Sequence, residues 1–284
     1  MITDSKAKLR NKQWAEMLSK YNQLPLWDTG APKFDVQKGQ AAPSITFFRS
    51  DDKNAESCVL IMAGGAYKYK SVYESDNIAK KINESGRHAA ILDYRLIPYD
   101  RDDILKDAKR AVRYLRYNCE SFGFDPQKIS VMGFSAGGNL AFRTAFCADD
   151  GDAGNSDPIE RLSSRPNAVI LGYPAVNLVD EYDDLNGEFS LLSYFDFKID
   201  REVSFPPAFI WHSFGDKLIK HTKSYELAKA VMALDAPVEL HFFPYGEHGQ
   251  SLADTEKGEV LKGDNKLTSC WFSLCIRWLD FYGF

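Results

Sequence analysis

A layered α/β fold with a mostly parallel sheet is predicted for this 284-residue chain by the order and texture of its apolar segments. Short β-branched or apolar runs alternate along the chain with segments of helical period. Several of these runs are near-continuously apolar, as expected of strands covered by helices on both faces. No internal period and no Gly/Ser- or Pro-rich linker interrupts the pattern, so residues 1–284 are read as a single domain.

The strands are predicted at 45–48, 58–62, 89–92, 129–132, 168–171, 208–211 and 238–243. Helices are predicted at about 76–84, 103–119, 138–147, 220–234 and 266–282. Within 103–119, Ile104, Ala108, Ala111, Val112 and Leu115 share one face, while Lys109, Arg110, Arg113 and Arg116 lie elsewhere. The last helix carries Trp271, Phe272, Leu274, Cys275, Trp278, Leu279 and Tyr282, which suits packing on the sheet; a homodimer contact is the other use of such a face. Two connections are longer than the fold requires. Residues 149–166 are polar and turn-rich, whereas 177–205 are acidic and then aromatic, with Phe189, Tyr194, Phe195 and Phe197. The second is read as a lid or pocket wall.

Composition narrows the function classes. Hydrophobic residues at 44% and charged residues at 26% describe an ordinary folded chain, not a disordered or fibrous one. Forty acidic against 35 basic residues leave a formal charge of −5, which supplies no electrostatic reason to bind nucleic acid or an anionic membrane. No apolar stretch approaches a membrane span, and the first residues lack the apolar centre of a secretory signal, so a cytoplasmic location is expected. The five cysteines, Cys58, Cys119, Cys147, Cys270 and Cys275, form no C-x-x-C pair and mostly sit in apolar runs. They are read as reduced and mostly buried, with no metal bound.

Ligands of a parallel α/β sheet bind beyond the carboxyl ends of the strands. Directly after 129–132 comes Gly133-Phe134-Ser135-Ala136-Gly137-Gly138, followed by a helical segment. A strand-to-helix turn sharp enough to expose a serine hydroxyl needs small residues two positions either side, and Gly133 and Gly137 meet that need. Serine becomes a nucleophile only when a base takes its proton. His248 follows the run 238–243 and Asp216 follows 208–211, so the chain order is Ser135, Asp216, His248 with all three at strand carboxyl ends. His212 is a rival base that precedes the acid in sequence, and Glu247 and Asp180 are rival carboxylates. His88 and His241 fall in strands and His221 starts a helix, where packing or solvation explains them. Donors for a tetrahedral oxyanion are expected from the Gly65 N–H, assisted by Gly64, in Ala63-Gly64-Gly65-Ala66-Tyr67, and from the Ala136 N–H.

These segments, with Asp93-Tyr94-Arg95-Leu96, Phe122-Gly123-Phe124-Asp125-Pro126 and Gly246-Glu247-His248-Gly249, resemble the α/β-hydrolase superfamily over about residues 25–255. The nearest likeness is to its esterase/lipase branch, which includes acetylxylan esterases and related carbohydrate deacetylases. Leu26-Trp27-Asp28-Thr29-Gly30-Ala31-Pro32 is similar to the Leu-Trp-Pro-x-x-Ala-Pro segment of those sugar esterases, with Asp28 in place of proline. Ala63 and Ala66 flank the Gly pair where the family usually has His or Pro and Gly, and Asn139 stands where the branch often has His.

The resemblance implies an α/β-hydrolase fold with helices on both faces of the sheet. It also implies a Ser-His-Asp acyl-enzyme mechanism without cofactor or metal. The implied substrate is a short-chain carboxylic ester such as an acetylated oligosaccharide. Tyr67, Phe134 and the aromatic loop residues would stack on a sugar ring or floor an acyl pocket, packing in the core being the other use of such aromatics. Glu74 and Arg95 would lie at the site edge, where ion pairing is their other reading. An arylformamidase or other small-amide hydrolase would use the same triad. A hydrolase-fold binding protein would commonly lack a triad member, and all three are present here.

Overall fold

In a computed structural model describing residues 4–179, 194–199, 203–256, 259–260 and 263–284, the predicted apolar runs become neighbouring strands of one eight-stranded sheet. In chain order the strands are β1 (Gln23–Pro25), β2 (Ser44–Phe48), β3 (Cys58–Met62), β4 (His88–Asp93), β5 (Ile129–Phe134), β6 (Ala168–Gly172), β7 (Asn177–Leu178), β8 (Asp196–Phe197), β9 (Ala208–Ser213) and β10 (Val238–Phe243), followed by the two-residue pair β11 (Thr255–Glu256) and β12 (Glu259–Val260) outside this sheet. The sheet runs β1-β2-β4-β3-β5-β6-β9-β10, and the short β7 and β8 pair with each other outside it. β2 lies antiparallel to both β1 and β4, and every pairing from β4 to β10 is parallel. The carboxyl ends of β3, β5, β6, β9 and β10 therefore share one edge.

Among the described residues the α-helices are α1 (Asp4–Leu18), α2 (Asp76–Glu84), α3 (Arg101–Tyr117), the single-turn α4 (Cys119–Phe122), α5 (Ala136–Phe146), α6 (His221–Met232) and α7 (Cys270–Phe281). Successive strand side chains point to opposite faces. Leu60, Val131, Val169 and Ile210 accordingly pack with residues of α3, α5 and α6, while Val59, Ile61, Met132, Ile170 and Phe209 pack with α1, α2 and α7. Both faces are sealed, which is why these strands read as unbroken apolar runs.

The predicted face of α3 is buried as expected. Its basic residues are not simply solvated, however. Arg110 and Arg113 are buried beneath the long connection after α5, where Arg110 pairs with Asp157 at 2.7 Å and Glu160 at 2.9 Å, and Arg113 with Asp149 and Glu160. The polar connection 149–166 is thus clamped to α3 by charge. The Arg110 Nε also donates to Leu26 O, which draws the early Leu26–Pro32 segment onto the same helix. α7 docks through Trp271, Cys275, Trp278 and Leu279, with Trp271 stacked on Trp211 at 4.9 Å between centroids.

Several expectations are corrected. α1 and β1 had no sequence-based prediction; the buried hydrophobic side chains of α1 are Trp14, Met17 and Leu18, and Asn11 donates to Lys68 O and Trp14 Nε1 to Asp93. α5 begins at Ala136, two residues before the predicted start, because the turn at Ser135 leads straight into the helix. Of the cysteines, Cys58 and Cys275 are buried, Cys119 and Cys147 are half-buried and Cys270 is exposed, all as free thiols. The proposed pocket wall at 177–205 falls largely outside the described residues, as does Asp180. Its described flanks pack inward: Phe197 lies edge-on to Phe142 and Phe146 of α5, and Tyr194 lies against Tyr67. Among the described residues no helix is long and apolar enough to cross a membrane.

Candidate active site

Ser135 sits between β5 and α5 at φ 51° and ψ −117°, a left-handed conformation that costs a non-glycine residue about 1–3 kcal/mol. The strain is held in place by close backbone approach. A Cβ on Gly133 would lie 2.1 Å from Gly137 O, and one on Gly137 would lie 2.0 Å from Met62 O of β3. Neither obstacle is a movable side chain. Gly137→Ala is therefore expected to destabilise the protein by about 3 kcal/mol or more and to abolish whatever activity Ser135 supports. Chemical denaturation against a Gly154→Ala control, where a new Cβ meets nothing nearer than 3.4 Å, measures this; equal midpoints would refute it.

Parallel strands further along the sheet, beyond β6, bring His248 and Asp216 to the same edge. His248, in the loop after β10, places Nε2 2.8 Å from Ser135 Oγ. Its Nδ1 lies 2.7 Å from Asp216 Oδ2, in the turn after β9. The acid is held on both oxygens: Oδ1 accepts the N–H groups of Leu218 and Ile219, each at 2.9 Å, and Oδ2 faces both His248 and His212. Burial pushes the Asp216 carboxyl up, but hydrogen bonds from His212 and His248, the charge of His248 and the Ile219 N–H together hold it well below the usual range.

His212, the rival base, has no route to the serine because its ring is fully committed elsewhere. Its Nε2 lies 3.0 Å from both Asp216 Oδ2 and Ile219 O, two acceptors, so this nitrogen carries the proton. Its Nδ1 takes the Ser224 hydroxyl at 2.7 Å. His212 thus braces the acid. Glu247 is not among the carboxylates that reach either histidine, and His88 and His241 bond locally, to Ser50 N and Glu239 respectively.

The 63–67 loop after β3 passes beside Ser135: a Cβ on Gly64 would come within 3.0 Å of Ser135 Cβ. The Gly64 N–H, however, donates to Glu74 Oε2 at 2.6 Å, which corrects its expected part as an oxyanion donor. Among the described residues the N–H groups of Gly65 and Ala136 have no such partner. That of Ala136 is one of the donors that the first turn of any helix leaves unpaired. Water or a developing oxyanion can take both.

Tyr67 and Phe134 do not meet the expectation that they contact a ligand. Both are fully buried. Tyr67 donates its hydroxyl to Asn139 Oδ1 at 2.9 Å within a cluster of Tyr94, Tyr194 and Phe195, and Phe134 packs between Tyr173 and Trp271 on the opposite face of the sheet. Asn139 also donates to Ala175 O at 3.0 Å, so the Tyr67–Asn139 pair joins the loops after β3 and β6. Arg95 lies behind the site, forked onto Asp107 at 2.7–3.0 Å and bonded to Pro32 O and Asp103 O.

Glu74 is buried as well. Burial pushes its carboxyl above the ordinary range, against the opposing pull of the Tyr173 hydroxyl, the Gly64 N–H and His248. Tyr173, which directly follows β6, lies edge-on to His248 at 5.1 Å between centroids. Glu74, expected at the site edge, lies beside the site but is held by Gly64 and Tyr173 and not by an ion pair; for Tyr173 the one usable signal was its position at a strand carboxyl end.

The BD-FAE family model matches residues 46–191 of the chain. The chain is 27% identical over 245 residues to endo-1,4-beta-xylanase B of Butyrivibrio fibrisolvens, a match covering 81% of this chain and 38% of that protein. It is 24% identical to an acetylxylan esterase of Xylanibacter ruminicola, covering 75% and 47% respectively. The chain thus spans less than half the length of either relative. Among solved structures, the acetyl ester-xyloside bifunctional hydrolase of Caldicellulosiruptor lactoaceticus is 32% identical, with a TM-score of 0.79 over 93% of this chain and 97% of that one.

Proposed function

Because the chain belongs to the BD-FAE family and has an α/β-hydrolase fold, we propose that it is a serine esterase that removes short acyl groups, acetyl above all, from sugars or oligosaccharides. The observation that carries this reading is the continuous relay Ser135 Oγ–His248–Asp216, at 2.8 and 2.7 Å, beside unpaired backbone donors. The names of an acetylxylan esterase and an acetyl ester-xyloside hydrolase among its relatives support the acetyl and sugar parts of it.

In the mechanism, Asp216 accepts the His248 Nδ1–H and so leaves Nε2 as the base. His248 Nε2 removes the Ser135 proton as Oγ attacks the ester carbonyl. The Gly65 and Ala136 N–H groups receive the oxyanion, each such donor being worth about 3–4 kcal/mol where one has been removed from a comparable site. The protonated His248 then gives its Nε2 proton to the departing sugar hydroxyl. Water, deprotonated by His248, attacks the acyl-Ser135 ester, and as the second tetrahedral intermediate collapses His248 returns its Nε2 proton to the departing Ser135 Oγ, which releases the carboxylic acid and restores both serine and neutral histidine.

A substrate panel tests the specificity: p-nitrophenyl esters from acetate to octanoate, acetylated xylo-oligosaccharides and N-formylkynurenine. Turnover that favours acetate, with acetate released from the oligosaccharides, is expected. Formamide cleavage faster by orders of magnitude would replace this reading with the small-amide hydrolase. Inertness toward every member would favour a binding protein.

A further inference from the structure

We infer that Glu74 is a positioning residue that locks the oxyanion loop and the catalytic-histidine loop into one rigid unit; the inference rests on the esterase reading above. The Gly64 N–H donates to Glu74 Oε2 at 2.6 Å, and the Tyr173 hydroxyl donates to Oε1 at 2.7 Å. The same hydroxyl accepts the Ser251 N–H at 2.9 Å, three residues beyond His248. One carboxylate thus joins the segment that precedes Gly65 to the segment that carries the base, and the ring it orients lies edge-on to His248.

Ser251 shows how completely this junction is built. Its N–H is held by Tyr173, its carbonyl by Trp271 Nε1 at 3.0 Å, and its hydroxyl donates to Tyr73 O, next to Glu74, while accepting from Asn77 Nδ2 at 3.2 Å. Ser251 takes a left-handed φ of 55°, so the loop is held in a conformation that a free chain disfavours. Packing alone would not call for a carboxylate here, since burying one is costly unless its acceptors are used. Both oxygens are used, Oε2 by the Gly64 N–H and Oε1 by the Tyr173 hydroxyl, through which the carboxylate reaches the Ser251 segment.

A glutamine cannot reproduce this. Its single oxygen can keep the Gly64 N–H, but its NH₂ then points at the Tyr173 hydroxyl, whose own hydrogen loses its acceptor. The result is a loosened pair of loops with the triad chemically intact. Misplacement of catalytic groups by about 1 Å costs on the order of 10²-fold. Substrate binding outside the reacting centre is untouched, so kcat falls and KM does not.

The test compares wild type, Glu74→Gln, Tyr173→Phe and the double variant on p-nitrophenyl acetate, with thermal melting and near-ultraviolet circular dichroism on each. Each single change is expected to lower kcat on the order of 10²-fold with KM within about threefold. The double variant should be no slower than the slower single one, because both changes cut the same chain of bonds. If Glu74→Gln does not fold, Tyr173→Phe, which removes one oxygen atom, carries the test alone through its kcat loss. Folded variants with kcat within about twofold of wild type, or single losses that multiply in the double variant, overturn the inference. An inactive wild type overturns the esterase reading itself and this inference with it, an outcome separable from the others by the wild-type assay.

Discussion

Ser135→Ala is expected to lower kcat on p-nitrophenyl acetate on the order of 10⁶-fold, the loss seen when a triad nucleophile is removed from a comparable relay. The Ser135 hydroxyl is bonded to His248 and lies at the end of a buried strand, so nothing in the core depends on it. Thermal stability should stay within about 1 kcal/mol of wild type, as for other substitutions that remove no packing. Residual turnover above water is expected, since backbone donors and binding act without the nucleophile. Steady-state kinetics and intact-mass detection of fluorophosphonate labelling check this together. Label retained by the variant, or turnover within about tenfold of wild type, would place the nucleophile elsewhere.

Asp216→Asn should cost about 10⁴-fold in kcat while leaving the backbone in place. The direction follows from the two donors on Oδ1. With Leu218 and Ile219 N–H pointing at one side of the carboxyl group, an asparagine keeps its oxygen there and turns its NH₂ toward His248 and His212. His248 then presents a lone pair at Nδ1 and carries its proton on Nε2, facing Ser135, so it cannot act as the base. The alternative orientation sets an NH₂ against two backbone donors, with no acceptor for either. His212, whose Nε2–H meets the new amide, loses one acceptor as well, so a stability loss of about 1–3 kcal/mol accompanies the kinetic one. The wild-type carboxyl, held below its ordinary value, contributes stability that is present above the unfolded-state value of about 3.9 and lost as pH falls through the native one. Acid denaturation should therefore begin at higher pH in the variant. Kinetics, denaturant melts at neutral pH and acid titration followed by circular dichroism measure all three, and a variant with wild-type kcat would remove Asp216 from the relay.

Much of the fold was legible because its evidence is local. A parallel strand sealed on both faces needs apolar residues at every position, so β3 to β6 stand out within windows of a few residues. The elbow was legible for a similar reason: the backbone passes so near Gly133 and Gly137 that no side chain fits. The first helix was not legible because only Trp14, Met17 and Leu18 are its buried hydrophobic residues, leaving no continuous apolar face to read. The order Ser135, Asp216, His248 was accessible because each follows a strand, and parallel strands bring their carboxyl ends to one edge.

What each polar side chain would touch was not accessible in this way. Tyr67 and Phe134 neighbour the reactive segments in sequence, yet the turn at Ser135 and the left-handed Tyr67 send both rings into the core. Glu74 and Tyr173 meet across 99 residues of chain, and Arg110 and Glu160 across 50. The sequence by itself determined the layered α/β class, the strand-to-helix turn and the three residues at the strand ends, because periodicity and backbone close approach are properties of short segments. Only the tertiary structure decided that Gly64 serves Glu74, that His212 braces Asp216 and that the candidate ring contacts are core. A buried donor takes whichever acceptor the packed sheet brings within about 3 Å, and that neighbour is set by strand order, not by position along the chain.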